Sequence, residues 1–129
     1  MRIATLTLAY NEGRMIEPCL RQIPEWVEKK LLLISEKPWN GPQSNVRHET
    51  WEKLPDLEGL KVYKLPWPTE EAQRNWGIGH LSDFDWVIIL DADEFYTPED
   101  WERLRHELKY ADRNCTAVRS NFITYWHVS

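Results

Sequence analysis

The run Val87-Ile88-Ile89-Leu90 is apolar without interruption and ends at once in Asp91-Ala92-Asp93-Glu94. It is too short for an independent helix. A strand with one solvated face would alternate apolar with polar positions, so the run reads as a strand covered on both faces. Such a strand needs packing elements above and below it, and the rest of the chain has to supply them.

It does so in alternation. Ile3 to Tyr10 (IATLTLAY) is rich in β-branched and apolar residues and stops at the turn cluster Asn11-Glu12-Gly13. Met15, Ile16, Cys19, Leu20 and Ile23 then recur at helical spacing, with Pro18 tolerable only in the first turn and an end expected near Pro24. KKLLLISE is a second short apolar run, its two lysines read as a solvated start. From Lys37 to Leu60 Pro, Asn, Gly and charge dominate, which predicts a long loop. LKVYKLP predicts a third strand. PTEEAQRNWGIGHL predicts a helix capped by Thr69, with Glu70 and Glu71 favouring its dipole. DWVIIL is the fourth strand. TPEDWERLRHELKY has Thr97 at the N-cap, Pro98 at the first helical position, Asp100 three residues after the cap, and Trp101, Leu104 and Leu108 on one face. CTAVRSNFITYWHV, near the end, has a strand-like pattern. The order predicts a single α/β domain over residues 1–129, mainly parallel, with strand one central and strands two and four on either side of it.

At 129 residues and 42% hydrophobic, the chain suffices for one core and no more. A net charge of −5 argues against a nucleic-acid partner. Cys19 and Cys115 have neither a CxxC nor a Cys/His spacing, so neither a disulfide framework nor a zinc site is indicated. The N-terminus starts as a strand, without a signal or membrane segment, and a soluble, cytoplasmic domain is expected.

In an open parallel sheet ligands bind outside the carboxyl ends of the strands. Asp91 and Asp93, two apart in an extended segment, turn to one side there. As hard oxygen donors without His or Cys nearby they suit Mg²⁺ or Mn²⁺. The competing reading makes them solvated turn residues leading to Thr97.

Strand one ends in AYNE, strand two in SEKPWNG, the helix before the acidic strand carries EEAQRNWGIG, and strand four ends in LDADEF. In this order the set resembles the family 2 glycosyltransferases, nucleotide-sugar-dependent enzymes of the Rossmann-like GT-A fold, from Ile3 to about Leu108. The resemblance implies a metal-dependent glycosyltransferase using a nucleoside-diphosphate sugar donor and an acceptor hydroxyl on a glycan, lipid or protein. It places Tyr10 beside the nucleobase, with Asn11 and Glu12 extending that motif, and Glu36 where many members carry a base-reading aspartate. Arg74 and Asn75 match the Arg-Asn of the nucleotide pocket. Asp91 matches the first acid of the family's Asp-x-Asp, near ribose and metal, and Asp93 matches the last acid, which the resemblance makes a direct ligand of Mn²⁺ or Mg²⁺. The general base of an inverting transfer falls beyond Ser129 in this resemblance, so the chain is expected to be the donor-binding part. Glu94 and Glu99 are available acids without an assigned role.

Two alternatives stand beside it. A haloacid-dehalogenase-like phosphatase also carries Asp-x-Asp after an apolar strand, but normally has Thr or Val where this chain has Phe95. A non-catalytic nucleotide-sugar-binding domain is the other. Of eight tryptophans, Trp101 and Trp86 read as core, and Trp39 and Trp67, flanked by prolines, as candidate ligand platforms. His48, His80, His106 and His127 show no ligand spacing.

Overall fold

The computed structural model describes residues 1–10, 15–36 and 54–111. Strands β1 (Ile3–Ala9), β2 (Lys29–Ser35), β3 (Leu60–Leu65) and β4 (Trp86–Ile89) form one sheet in the order β3-β2-β1-β4. Every pairing is parallel. Helices α1 (Ile16–Arg21), α2 (Glu70–His80) and α3 (Pro98–Lys109) connect or follow the strands. This is the α/β architecture expected, with β1 between β2 and β4. Among the described residues no helix is long and apolar enough to cross a membrane.

Period-two alternation along β1 divides the core. Ala4, Leu6 and Leu8 join Leu31, Leu33, Trp67 and Leu81 on the face that α2 covers. Ile3 and Ala9 join Leu32 and Ile34 on the other face, with Ile16, Cys19 and Leu20 of α1 and Trp101, Leu104 and Leu108 of α3. Each of these leucines removed from water contributes about 2 kcal/mol. The sheet therefore lies between two helical layers.

Local signals act as read. The Thr97 hydroxyl accepts from the Asp100 N–H while an Asp100 carboxylate oxygen accepts from the Thr97 N–H, closing a capping box with Pro98 behind it. The Thr69 hydroxyl accepts from the Ala72 N–H at 3.0 Å. Pro18 sits in the first turn of α1, where its missing N–H costs no helical bond.

Four expectations are corrected. Strand β4, expected in the interior, is the outer strand of the sheet among the described residues, and its side chains are half-buried. Trp67 is not a platform. It is 6% exposed and meets Trp76 edge-to-face with ring centroids 5.4 Å apart. Lys30 is not solvated: it is 8% exposed, and its ammonium donates to the Val27 and Glu58 carbonyls at 3.4 and 3.1 Å. Burial lowers its pKa. The fourth correction concerns Asp91 to Asp93, below. Trp39, His48 and His127, most of the expected loop and the last predicted strand lie outside the described residues.

Candidate functional site at the carboxyl end of the sheet

Strand order alone marks a candidate position for a ligand. From β1 the chain moves through α1 to β2 on one side, then returns from β3 through α2 to β4 on the other side of β1. The connections diverge between β1 and β4, and they lie on opposite faces. In open α/β sheets ligands bind outside the carboxyl ends of two strands so related. Leu6 pairs with Ile89 in this ladder, so Tyr10 and Asp91 both lie just beyond it. Ala9 pairs with Ile34, which brings Glu36, just past β2, to the same end. It stands two strand spacings from β4, roughly 10 Å across the sheet.

Helix α2 starts at this end because it follows β3, and it presses closely on the sheet. A Cβ on Gly77 would come within 2.6 Å of Leu6 Cδ1 and 2.9 Å of Leu33 Cδ1. One turn earlier Gln73 is fully buried, and its amide donates to the Leu33 carbonyl at 2.8 Å. With Gln73 and Gly77 facing the strands, Arg74 projects sideways. Its guanidinium pairs with Glu70 at 2.7 Å and acts on the Asp91 charge. Arg74 Nε is buried with no hydrogen-bond partner among the described residues. Asn75, two residues past Gln73 on the helix, is exposed.

The acidic segment is a turn, which is the fourth correction. The last ladder bond joins the Leu90 N–H to the Leu6 carbonyl at 2.9 Å, and the Glu94 N–H then closes back on the Asp91 carbonyl at 3.0 Å. Leu90 and Ala92 are buried in the α1/α3 core, while Asp91 and Asp93 are exposed. The two carboxylates are thus kept outside by their apolar neighbours, not by strand extension. Glu94 joins them: its Oε1 accepts from the Asp91 N–H at 3.0 Å and its Oε2 from the Tyr96 hydroxyl at 3.0 Å. The Asp91 carboxyl is pushed up to about 6 by partial burial, by its hydrogen bond with Glu94, and by the Glu94 and Asp93 charges, against which Arg74 acts. Among the described residues no group of three or more His, Cys, Asp or Glu side chains is arranged to hold a metal ion.

Helix α1 supports the turn from below. The Cys19 thiol donates to the Asp91 carbonyl at 3.4 Å. The Gln22 amide donates to the Glu94 carbonyl at 2.6 Å and accepts from the Tyr96 N–H at 2.8 Å. None of these three contacts was foreseeable from the sequence, where Gln22 is only a polar residue near a helix end.

The structure brings Tyr10, Glu36, Arg74 and Asp91 to one end of the sheet; Asn11 and Glu12 lie outside the described residues. The clefts lined by Met1, Trp26, His106 and Tyr110 and by Ile23, Lys30 and Glu58 lie at the opposite end. The family model described as Glycosyl transferase family 2 matches residues 43–127, about two thirds of the chain. The matched range includes α2 and the acidic turn and starts after Tyr10 and Glu36. No curated protein matches the chain.

Proposed function

The chain belongs to family 2 of the glycosyl transferases, and on that premise we propose that the carboxyl end of its sheet binds a nucleoside-diphosphate sugar whose sugar passes to an acceptor hydroxyl. The observation that carries the reading is the position of Tyr10 and Asp91, just beyond the two strands that flank the sheet's point of divergence. Tyr10 offers an aromatic face to the base, Asn11 and Glu12 extend its sequence motif, and Glu36 reads the base edge. Arg74 and Asn75 belong to the nucleotide pocket, with Arg74 offsetting phosphate charge.

Asp91 and Asp93 hold Mn²⁺ or Mg²⁺ in this reading. The donors present fit such an ion: they are carboxylate oxygens crowded with negative charge, and the nearby Cys19 thiol is turned to a backbone carbonyl. Two carboxylates are few, which suits an ion that takes its other ligands from water and substrate phosphate. When bound, the ion supplies Lewis-acid stabilisation of the departing diphosphate.

Family membership favours glycosyl transfer over phosphomonoester hydrolysis. The test is to incubate the chain with uridine- and guanosine-diphosphate sugars and Mn²⁺, and separately with a generic phosphomonoester. Release of nucleoside diphosphate from a donor is expected. Binding without release supports a non-catalytic domain, and phosphomonoester cleavage alone contradicts the proposal.

A further inference from the structure

Among the described residues, the acidic turn leaves the sheet at its outer strand, β4. Beyond the bond from the Leu90 N–H to the Leu6 carbonyl, none of the described backbone hydrogen bonds joins residues 91–96 to a neighbouring strand. Gln22 does what such a strand would do. Its amide donates to the carbonyl of Glu94 and accepts from the N–H of Tyr96, one residue on either side of Phe95. In a parallel ladder a single residue of the partner strand makes this same pair of bonds, to the carbonyl before and the N–H after the residue it faces.

We infer that Gln22 is a positioning residue for the acidic turn, its side-chain amide standing in for a strand partner opposite Phe95 and thereby fixing where Asp91 and Asp93 present their carboxylates. The inference rests on the reading of these two aspartates as metal ligands. Three further contacts give it physical content. The Cys19 thiol meets the Asp91 carbonyl at 3.4 Å from the same helix, so α1 holds the turn near both of its ends. Gln22 Nε2 also lies 3.7 Å from Cys19 Sγ, which ties the two supports together. Glu94, whose carbonyl Gln22 holds, accepts from the Asp91 N–H through its own side chain, so a displaced Glu94 displaces Asp91. None of the described hydrogen bonds joins the Gln22 side chain to the side chain of Asp91 or Asp93, and it acts through the backbone of the turn.

The experiment compares wild type with Gln22→Met, which keeps length and loses both bonds, and Gln22→Asn, which keeps the amide and loses its reach. Uridine and guanosine diphosphate are titrated calorimetrically with Mn²⁺ and with chelator, using whichever the wild type binds more tightly. Outer-shell partners of a ligand are worth about tenfold or more in affinity, so the Mn²⁺-supported affinity falls by that factor in both variants. The chelated affinity, set by the base and arginine side, stays within about twofold, as for a distant independent site. Equal losses with and without metal would mean a general structural role, and unchanged affinities no role; either overturns the inference. If Gln22→Met does not fold, Gln22→Asn alone decides. A wild type that gains nothing from Mn²⁺ removes the metal reading of Asp91 and Asp93, and this inference with it. A wild type that gains while the variants match it removes the inference alone.

Discussion

Gly77 of α2 lies so close to Leu6 of β1 that a methyl group added to it would come within 2.6 Å of the Leu6 Cδ1. The contact sets the height of the helix above the sheet, and with it the reach of Arg74 toward Asp91. Gly77→Ala gains about 1 kcal/mol of helix propensity and loses roughly 1–3 kcal/mol to overpacking. Because Leu33 Cδ1 crowds the same point at 2.9 Å, the loss prevails. A melting temperature lower by a few degrees is expected, with weakened nucleotide binding. An increase would mean that the leucines yield freely.

Arg74→Ala separates binding from folding. Its ion pair with Glu70 is an exposed i,i+4 contact, and such pairs are worth about 0.5 kcal/mol or less. Nucleotide affinity therefore falls while the melting temperature stays nearly constant. Unchanged affinity with a large loss of stability would make Arg74 structural.

The sequence disclosed the sheet and its helices because the signals were local: the runs of β1 and β2, and the caps at Thr69 and Thr97. That β4 is the outer strand among the described residues was invisible for a physical reason. Trp86 and Ile88 pack on one face and Val87 and Ile89 on the other. Side chains record coverage of a strand's faces, whereas an edge lies in the hydrogen-bonding direction, where they do not point. Lys30 and Gln73 escaped because burial of a polar group depends on a distant carbonyl, at Glu58 and Leu33 respectively. The acidic residues were found, but their shared side was ascribed to an extended backbone. The cause is a turn whose alternate residues, Leu90 and Ala92, are buried.

Cys19 provides a probe of the turn's underside. Burial, above all, pushes its thiol up to about 12 from an ordinary 9.0. The folded chain keeps this proton longer than the unfolded one, so the associated stability is full below 9.0 and is lost as pH rises toward about 12. Near neutral pH the folded protein should leave Cys19 unalkylated by iodoacetamide, and denaturant should expose it, as peptide mapping would separate it from Cys115. Equal labelling rates in both states would contradict its burial.

Lys30 shifts in the opposite sense. Burial lowers its pKa from 10.5, so on raising the pH the folded chain sheds the proton first. The unfolded state then binds more protons, and stability from this group rises between the lowered pKa and 10.5. Melting curves of wild type and Lys30→Met at about pH 8 and again near the upper limit of that window should diverge in favour of wild type. A constant difference would mean that Lys30 is solvated.

The most direct measurement is thermal stability with Mn²⁺ and a nucleoside diphosphate, separately and together. If Asp91 and Asp93 bridge through the ion to the diphosphate, the joint shift exceeds the sum of the separate shifts, because each ligand completes the other's coordination. Ligand at a hundred times its dissociation constant adds about 2.7 kcal/mol, which raises the melting temperature of a domain this size by several degrees. Asp93→Asn should abolish the excess while leaving the ligand-free melting temperature equal or higher, since Asp93 is exposed and its charge crowds Asp91. Purely additive shifts in the wild type, or a full excess surviving in Asp93→Asn, would contradict the account.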